Sequence, residues 1–63
     1  MSKRDALKLR KGTEVIVCPN SSMQFKMKVK EVWGLPQDKY IDIVGITEDG
    51  TEVQNCHLNI EKA

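Results

Sequence analysis

A run of alternating apolar and polar residues near the middle of the chain limits the possible folds more than any other feature. From position 23 to position 30 every second residue is apolar, and glutamine or lysine fills each position between. This period of two predicts a β-strand with one buried face and one exposed face. The side chains of the predicted buried face are Met23, Phe25, Met27 and Val29, with Phe25 in the core.

The segment continues to Trp33, which makes it long for a strand in so small a protein. We therefore expect it to bend and to act as the central strand with which the others pair. Val32 and Trp33 are consecutive apolar residues, so the alternation changes phase there. This change predicts a β-bulge or a bend near Glu31.

Shorter segments rich in apolar and β-branched residues flank the long strand, and turn-forming residues separate them. They predict strands over residues 13–18, 40–47, 51–54 and 58–60. Asp49-Gly50 predicts a tight hairpin turn in which both residues have positive φ. The segment 55–57 interrupts the pattern and predicts a single 3₁₀ turn.

Two details of the third strand concern its pairing with the long strand. Gly45 predicts a bulge that would turn Ile46 inward. If Trp33 pairs with Lys39, then Lys30 lies opposite Asp42, and opposite charges across an antiparallel pair are mildly favourable.

The first eleven residues differ in charge from the rest of the chain. They carry five basic residues and one acidic residue, whereas residues 12–63 carry five lysines and eight carboxylates. Ser2 followed by Asp5 resembles a capping box, so a short helix is expected, either docked as a helical turn or loose. The chain is therefore divided into a basic N-terminal arm, residues 1–11, and a β domain, residues 12–63.

Size and composition restrict the class of protein. With 63 residues, 40% of them hydrophobic and 30% charged, the chain is expected to form one small globular domain rather than a disordered segment. It contains no apolar run of about 18 residues and no signal-peptide core, so no membrane association is expected. Two cysteines are too few for a disulfide scaffold, and a cytoplasmic protein with reduced thiols is predicted.

The order of these features is distinctive over residues 12–61. A Gly12-Thr13 entry precedes Val15 and Val17, then come the long bent strand, a glycine-containing third strand, a tight hairpin, a short break and a last apolar pair. This order resembles the SH3-like barrels, including Tudor and KOW-type modules. The resemblance implies an all-β fold, a small five-stranded antiparallel SH3-like barrel with a short N-terminal basic arm or helical turn.

Lysines occupy the exposed face of the long strand. Together with basic residues of the arm they would form a surface for phosphates. The alternative is a solvated face whose lysines discourage edge pairing. The predicted nucleic-acid-binding residues are Lys26, Lys28, Lys30, Arg10 and Lys11.

Trp33 and Tyr40 flank the loop at residues 34–38. The resemblance implies that aromatic residues at this loop form a cage or stacking platform for a peptide, a methylated lysine or a base. The alternative, favoured for Trp33, is that the indole closes the core.

Cys18, Cys56 and His57 are the residues to consider for metal or thiol chemistry. A structural zinc site needs four ligands, usually in close pairs, and these three residues lack that spacing. Buried thiols and a surface histidine are the simpler interpretation. We therefore expect that the protein is not an enzyme and that it has no catalytic residue, no bound metal and no cofactor.

These features lead to two main functional hypotheses. The first is a non-catalytic binding module that contacts nucleic acid or a nucleoprotein assembly through its basic strand face, with Trp33 or Tyr40 stacking. The alternative is a protein interaction module or a small oligomeric subunit, in which a sheet edge or the Trp33–Tyr40 region binds a partner. A metal or redox protein is a third and weaker hypothesis.

Overall fold

A computed structural model describes all 63 residues and shows a five-stranded antiparallel sheet preceded by a short helix. This arrangement confirms the predicted all-β class. The elements in chain order are α1 (Lys3–Leu7), β1 (Glu14–Val17), β2 (Phe25–Trp33), β3 (Asp42–Thr47), β4 (Glu52–Cys56), a 3₁₀ turn (His57–Asn59) and β5 (Ile60–Lys62).

The long alternating segment is the central strand, as predicted. The strand order is β4-β3-β2-β1-β5, so β2 has a neighbour on each side. Its first part pairs with β1, from Val17 opposite Phe25 to Glu14 opposite Lys28. The outer strands β4 and β5 do not pair with each other, so hydrogen bonds do not close the sheet into the expected barrel.

A β-bulge in β2 changes which residues face the core. Val29 lies opposite Gly45 and Glu31 lies opposite Val44, so Lys30 is the extra residue, as the change of phase predicted. Val29 is buried before the bulge, and Val32 packs against the core after it.

Gly45 predicted a bulge in β3, but the bulge lies in the neighbouring strand β2. Gly45 has a different role, because a Cβ at this position would lie 2.6 Å from the Met27 sulfur. Its missing side chain therefore allows the Met27 side chain to pack directly on β3.

The predicted register between β2 and β3 is wrong by several residues. Trp33 lies opposite Asp42 rather than Lys39, because β3 begins later than the sequence indicated. Lys30 consequently does not face Asp42 and instead forms an ion pair with Glu52 of β4, at 2.6 Å.

The core lies on one face of the bent sheet and includes the N-terminal helix. Ala6 of α1 is fully buried, so the first residues dock as a helical turn. The backbone N–H of Asp5 donates to the Ser2 hydroxyl at 3.1 Å, as expected for an N-cap. The α-amino group of Met1 donates to the carbonyls of His57 and Ile60, at 2.8 and 2.6 Å. The buried cluster comprises Ala6, Val15, Val17, Met27, Val29, Ile41, Ile43 and Ile60.

Phe25 was expected in the core, and this prediction is wrong because its side chain is 38% exposed. β3 ends at Thr47, which lies opposite Met27, so no residue of β3 pairs with Phe25. Met23 precedes the strand and is also exposed. Phe25 lies opposite the buried Val17 of β1 and so shares the face of the core, but it lies beyond the end of β3.

His57 is buried rather than on the surface, with only 5% of its area exposed. Its Nδ1 accepts a hydrogen bond from the backbone N–H of Ile41 at 3.1 Å. The imidazole therefore satisfies a buried donor where the chain enters β3.

The hairpin between β3 and β4 is confirmed, but its turn type differs from the prediction. Gly50 has a φ of 90°, whereas Asp49 does not have positive φ. The N–H of Gly50 donates to the Thr47 carbonyl at 2.9 Å, and the N–H of Thr47 donates to the Thr51 carbonyl at 2.9 Å. This is a three-residue loop with glycine at its left-handed position.

The Asp49 carboxylate holds this hairpin together. It accepts hydrogen bonds from the Thr47 hydroxyl and from the backbone N–H of Thr51. These bonds lower the pKa of Asp49, with the Thr47 hydroxyl as the largest cause.

The exposed edge of β4 is partly blocked by asparagine side chains. The N–H of His57 donates to the carbonyl of Ile41, the residue before β3, so the N–H of the preceding Cys56 points away from β3. Asn55 Oδ1 accepts this N–H at 2.8 Å and also accepts Asn59 Nδ2 at 2.9 Å. The predicted 3₁₀ turn is present, but it begins at His57, two residues later than expected.

Replacing His57 tests its role as a buried acceptor. His57→Leu should lower the free energy of unfolding by about 1–3 kcal/mol, because the Ile41 N–H is left buried without a partner. His57→Asn keeps an acceptor near the position of Nδ1 and should retain slow hydrogen exchange at the Ile41 amide. An Ile41 amide that stays protected in the leucine variant would contradict this role.

The pH dependence of stability should reveal the Asp49 hydrogen bonds. A pKa that is lower in the folded state means that the carboxylate stabilises the fold above its unfolded pKa of about 3.9. This stabilisation is lost as the pH falls through the folded-state pKa. We expect Asp49→Asn to have a lower Tm than the wild type at pH 7 and this difference to narrow in acid. Glu48→Gln, at a carboxylate outside this network, is the control and should match the wild type throughout.

Candidate functional site

Three large apolar side chains are exposed on the segment that leads from β2 into β3. Trp33 is 52% exposed, Leu35 is 56% exposed and Tyr40 is 49% exposed. We refer to Trp33, Leu35 and Tyr40 as the loop patch. The favoured expectation that Trp33 closes the core is therefore wrong, since the indole lies on the outer side of the sheet.

The loop that carries the patch is held close to the core by its own residues. A Cβ at Gly34 would lie 2.6 Å from the Ile41 side chain, and Gly34 has a φ of 144°. Glycine therefore lets the chain leave β2 directly over a buried residue. Asp38 closes the loop, because its N–H donates to the Leu35 carbonyl at 2.9 Å and its carboxylate accepts the Leu35 N–H at 2.8 Å.

The N-terminal helix also holds the loop. Lys3 Nζ donates to the carbonyl of Asp38 at 2.8 Å and to the carbonyl of Pro36 at 3.2 Å. A basic residue of the arm thus fixes the loop instead of facing an external anion. No sequence pattern indicated this contact, because it joins residues more than thirty positions apart.

The aromatic side chains of the loop patch have polar neighbours. Trp33 Nε1 donates to the Glu31 carboxylate at 2.6 Å, which orients the indole. Lys39 Nζ lies 5.4 Å from the centre of the Tyr40 ring, within the range of a cation–π contact. The Tyr40 ring also lies 6.4 Å from the imidazole of His57.

The structure places the predicted nucleic-acid-binding residues around β2. The lysines of β2 are all exposed, on the side opposite the buried Met27 and Val29. The N–H of Gly12 donates to the Val29 carbonyl at 2.8 Å, which brings the preceding turn beside this strand. Lys26, Lys28 and Lys30 therefore lie on β2, and Arg10 and Lys11 lie in the turn beside it.

Carboxylates lie among these lysines. Lys30 contacts Glu52 at 2.6 Å, and this hydrogen bond raises the pKa of Lys30. Lys26 lies 3.8 Å from Glu14. Lys28 has no ion-pair partner. The face is therefore mixed in charge rather than uniformly basic.

The two cysteines are free and half-buried, and both contact Asn59. Cys18 has a φ of 53°, and its N–H donates to the Asn59 carbonyl at 2.7 Å. The sulfur of Cys56 lies 3.8 Å from Asn59 Nδ2. The side chains of His, Cys, Asp and Glu form no group of three or more that could hold a metal ion. None of the helices has the length and apolar character needed to cross a membrane.

Comparison with protein-family models, curated proteins and solved structures found no match to this chain. Function is therefore inferred from the geometry of the chain itself.

The sequence predicted Trp33 and Tyr40 as residues that bind a partner, but it did not predict Leu35. The available signal for Leu35 was its position between a glycine and a proline in the same loop.

Removing the Lys3 side chain tests whether α1 orders the loop. We expect Lys3→Ala to keep the fold but to speed hydrogen exchange at the Leu35 and Asp38 amides by roughly 2- to 10-fold, because a hydrogen bond contributes about 0.5–1.5 kcal/mol. Lys8→Ala is the control, since no hydrogen bond involves the Lys8 side chain. Unchanged exchange in the Lys3 variant would show that the loop is held without the helix.

Proposed function

We propose that this protein is a small non-catalytic binding module that docks a partner protein through the loop patch. The observation that carries the proposal is the exposure of Trp33, Leu35 and Tyr40 on a loop that hydrogen bonds hold in place. Exposed apolar groups that cluster on a small domain are typical of interaction sites. Trp and Tyr also dominate the binding energy of many interfaces.

The order of the loop favours binding. A partner that docks on a flexible loop must offset the entropy lost when the loop is fixed. Here Lys3 and Asp38 already hold the backbone, and Glu31 already orients the indole. The patch can therefore bind with less reorganisation.

Nucleic-acid binding is the second candidate, and one observation favours it. Lys28 has no ion-pair partner, and the Arg10–Lys11 turn lies beside the same strand. Lys26 and Lys30 are less available to phosphates, because Glu14 and Glu52 lie within 3.8 and 2.6 Å of their ammonium groups. We therefore rank a protein partner first.

We also propose that the module acts in the cytoplasm. Cys18 and Cys56 are both free thiols, a state that reducing compartments maintain.

Selection from a random peptide library against the immobilised full chain tests the first candidate. Peptides recovered in this way should shift the NMR signals of the loop patch. Trp33→Ala and Tyr40→Ala should each weaken their binding by about tenfold or more. Leu58→Ala is a matched control, because Leu58 is 63% exposed but lies on the 3₁₀ turn.

A parallel titration with a short oligothymidylate, at low and at moderate salt, tests the second candidate. Binding that weakens steeply with salt and is lost in Lys28→Glu would favour the nucleic-acid function. Lys39→Glu controls for net charge.

The peptide selection has its own contradicting outcome. Peptides that bind equally well to the Trp33 and Tyr40 variants would refute the role of the loop patch.

A further inference from the structure

The residue before β3, Ile41, is attached to the 3₁₀ turn by both of its backbone groups, and both bonds go to His57. The N–H of Ile41 donates to Nδ1 of His57 at 3.1 Å, and the carbonyl of Ile41 accepts the N–H of His57 at 2.8 Å. The Ile41 side chain is fully buried. His57 therefore fixes the point at which the loop of residues 34–40 rejoins the sheet.

Ile41 contacts or adjoins both ends of this loop. At one end it directly follows Tyr40, whose ring centre lies 6.4 Å from that of the imidazole. At the other end its side chain packs beneath Gly34, where a Cβ would lie only 2.6 Å from it. A change in the position of Ile41 therefore reaches both ends of the segment that carries the loop patch.

The hydrogen bond at Nδ1 exists only while the imidazole is neutral. A ring nitrogen that accepts a hydrogen bond carries no proton, so the single proton of this ring is on Nε2. Nε2 makes no hydrogen bond within the chain and is not fully enclosed, so it is in contact with water. An imidazolium carries a proton on both nitrogens, so Nδ1 and the Ile41 N–H would then be two donors that face each other.

No neighbouring group would accept a hydrogen bond from a protonated Nδ1. The α-ammonium group of Met1 donates to the His57 carbonyl at 2.8 Å, and the Glu61 carboxylate lies 3.0 Å from that ammonium group. No hydrogen bond or ion pair joins the imidazole to a carboxylate. The titratable groups on the segments packed around His57 are the α-amino group of Met1, Lys39, Tyr40, Asp42, Cys56 and Glu61.

We propose that His57 is a pH-sensitive switch for the loop patch, in which protonation of Nδ1 releases the Ile41 N–H and loosens the β3 end of the loop. This regulation rests on the proposed function of the loop patch as a docking surface. Release and protonation are linked, because the proton binds only to a ring that no longer accepts the amide. The closed loop is therefore favoured at neutral pH, and the open loop gains population as the pH falls. Lys3 and Asp38 continue to hold the middle of the loop.

The first measurement follows the chain without ligand by NMR, from about pH 7.5 to about pH 5, where histidine ordinarily changes charge. Most carboxylates stay ionised over this range, because their ordinary pKa values are about 4. The protection factor of the Ile41 amide should fall by about tenfold or more, since an exposed imidazole with a pKa of about 6.5 binds a proton at pH 5. The signals of the loop patch should shift over the same range, whereas the amides shared by β1 and β2 should stay protected.

Two replacements of His57 separate protonation from loss of the acceptor. His57→Asn keeps an acceptor but has no ring to titrate, so Ile41 should stay protected throughout the pH range. His57→Leu has no acceptor at any pH, so its loop patch should give at neutral pH the signals that the wild type gives in acid. Circular dichroism checks that each variant is folded, and the asparagine variant decides the result alone if the leucine variant is not.

A second measurement uses histidine-free peptides selected against the loop patch. Their affinity for the wild type should weaken by about threefold or more at pH 5, because fewer molecules are competent to bind, and should stay constant for His57→Asn. If the selection yields no peptide, the docking function fails, and the signals of the chain without ligand still decide whether the switch exists.

Several results would overturn the proposal. One is an Ile41 amide that is as well protected at about pH 5 as at about pH 7.5. Another is an equal loss of protection in His57→Asn. Loop-patch signals that do not change when Ile41 is released, or peptides that bind the wild type equally well at both pH values, would also overturn it.

Discussion

The rest of the structure depends on the antiparallel pairing of β2 with both of its neighbours. One extra residue, Lys30, interrupts the pairing with β3. The bulge lets the strand bury Val29 on one side of the interruption and Val32 on the other. The same strand therefore contributes to one core along its length. It also carries a distinct exposed surface at each end, with Phe25 at its start and Trp33 at its end.

The sequence predicted the strand count, the central strand and the bulge, because these depend on local alternation and on turn residues. It misassigned Phe25 and Trp33, since burial depends on how far a neighbouring strand extends and alternation carries no information on that. Asp49-Gly50 is compatible with loops of two or three residues, so the hairpin was predictable but its turn type was not.

The candidate site was less predictable, because its decisive contacts are non-local. The ion pair between Lys30 and Glu52 spans from β2 to β4 and depends on two registers at once. Lys3 reaches the loop only because Ala6 docks α1 on the core. The buried position of His57 follows from the 3₁₀ turn, which an alternating pattern does not reveal.

The amide of Asn55 has a consequence for how copies of this chain can meet. A five-stranded sheet that is not closed has two free edges, here β4 and β5, and each could add a strand from another molecule. Asn55 occupies the Cys56 N–H that an incoming strand would need. Because this position of the β4 edge is already bonded within the chain, a strand from a neighbouring molecule would form a less complete hydrogen-bond ladder along β4.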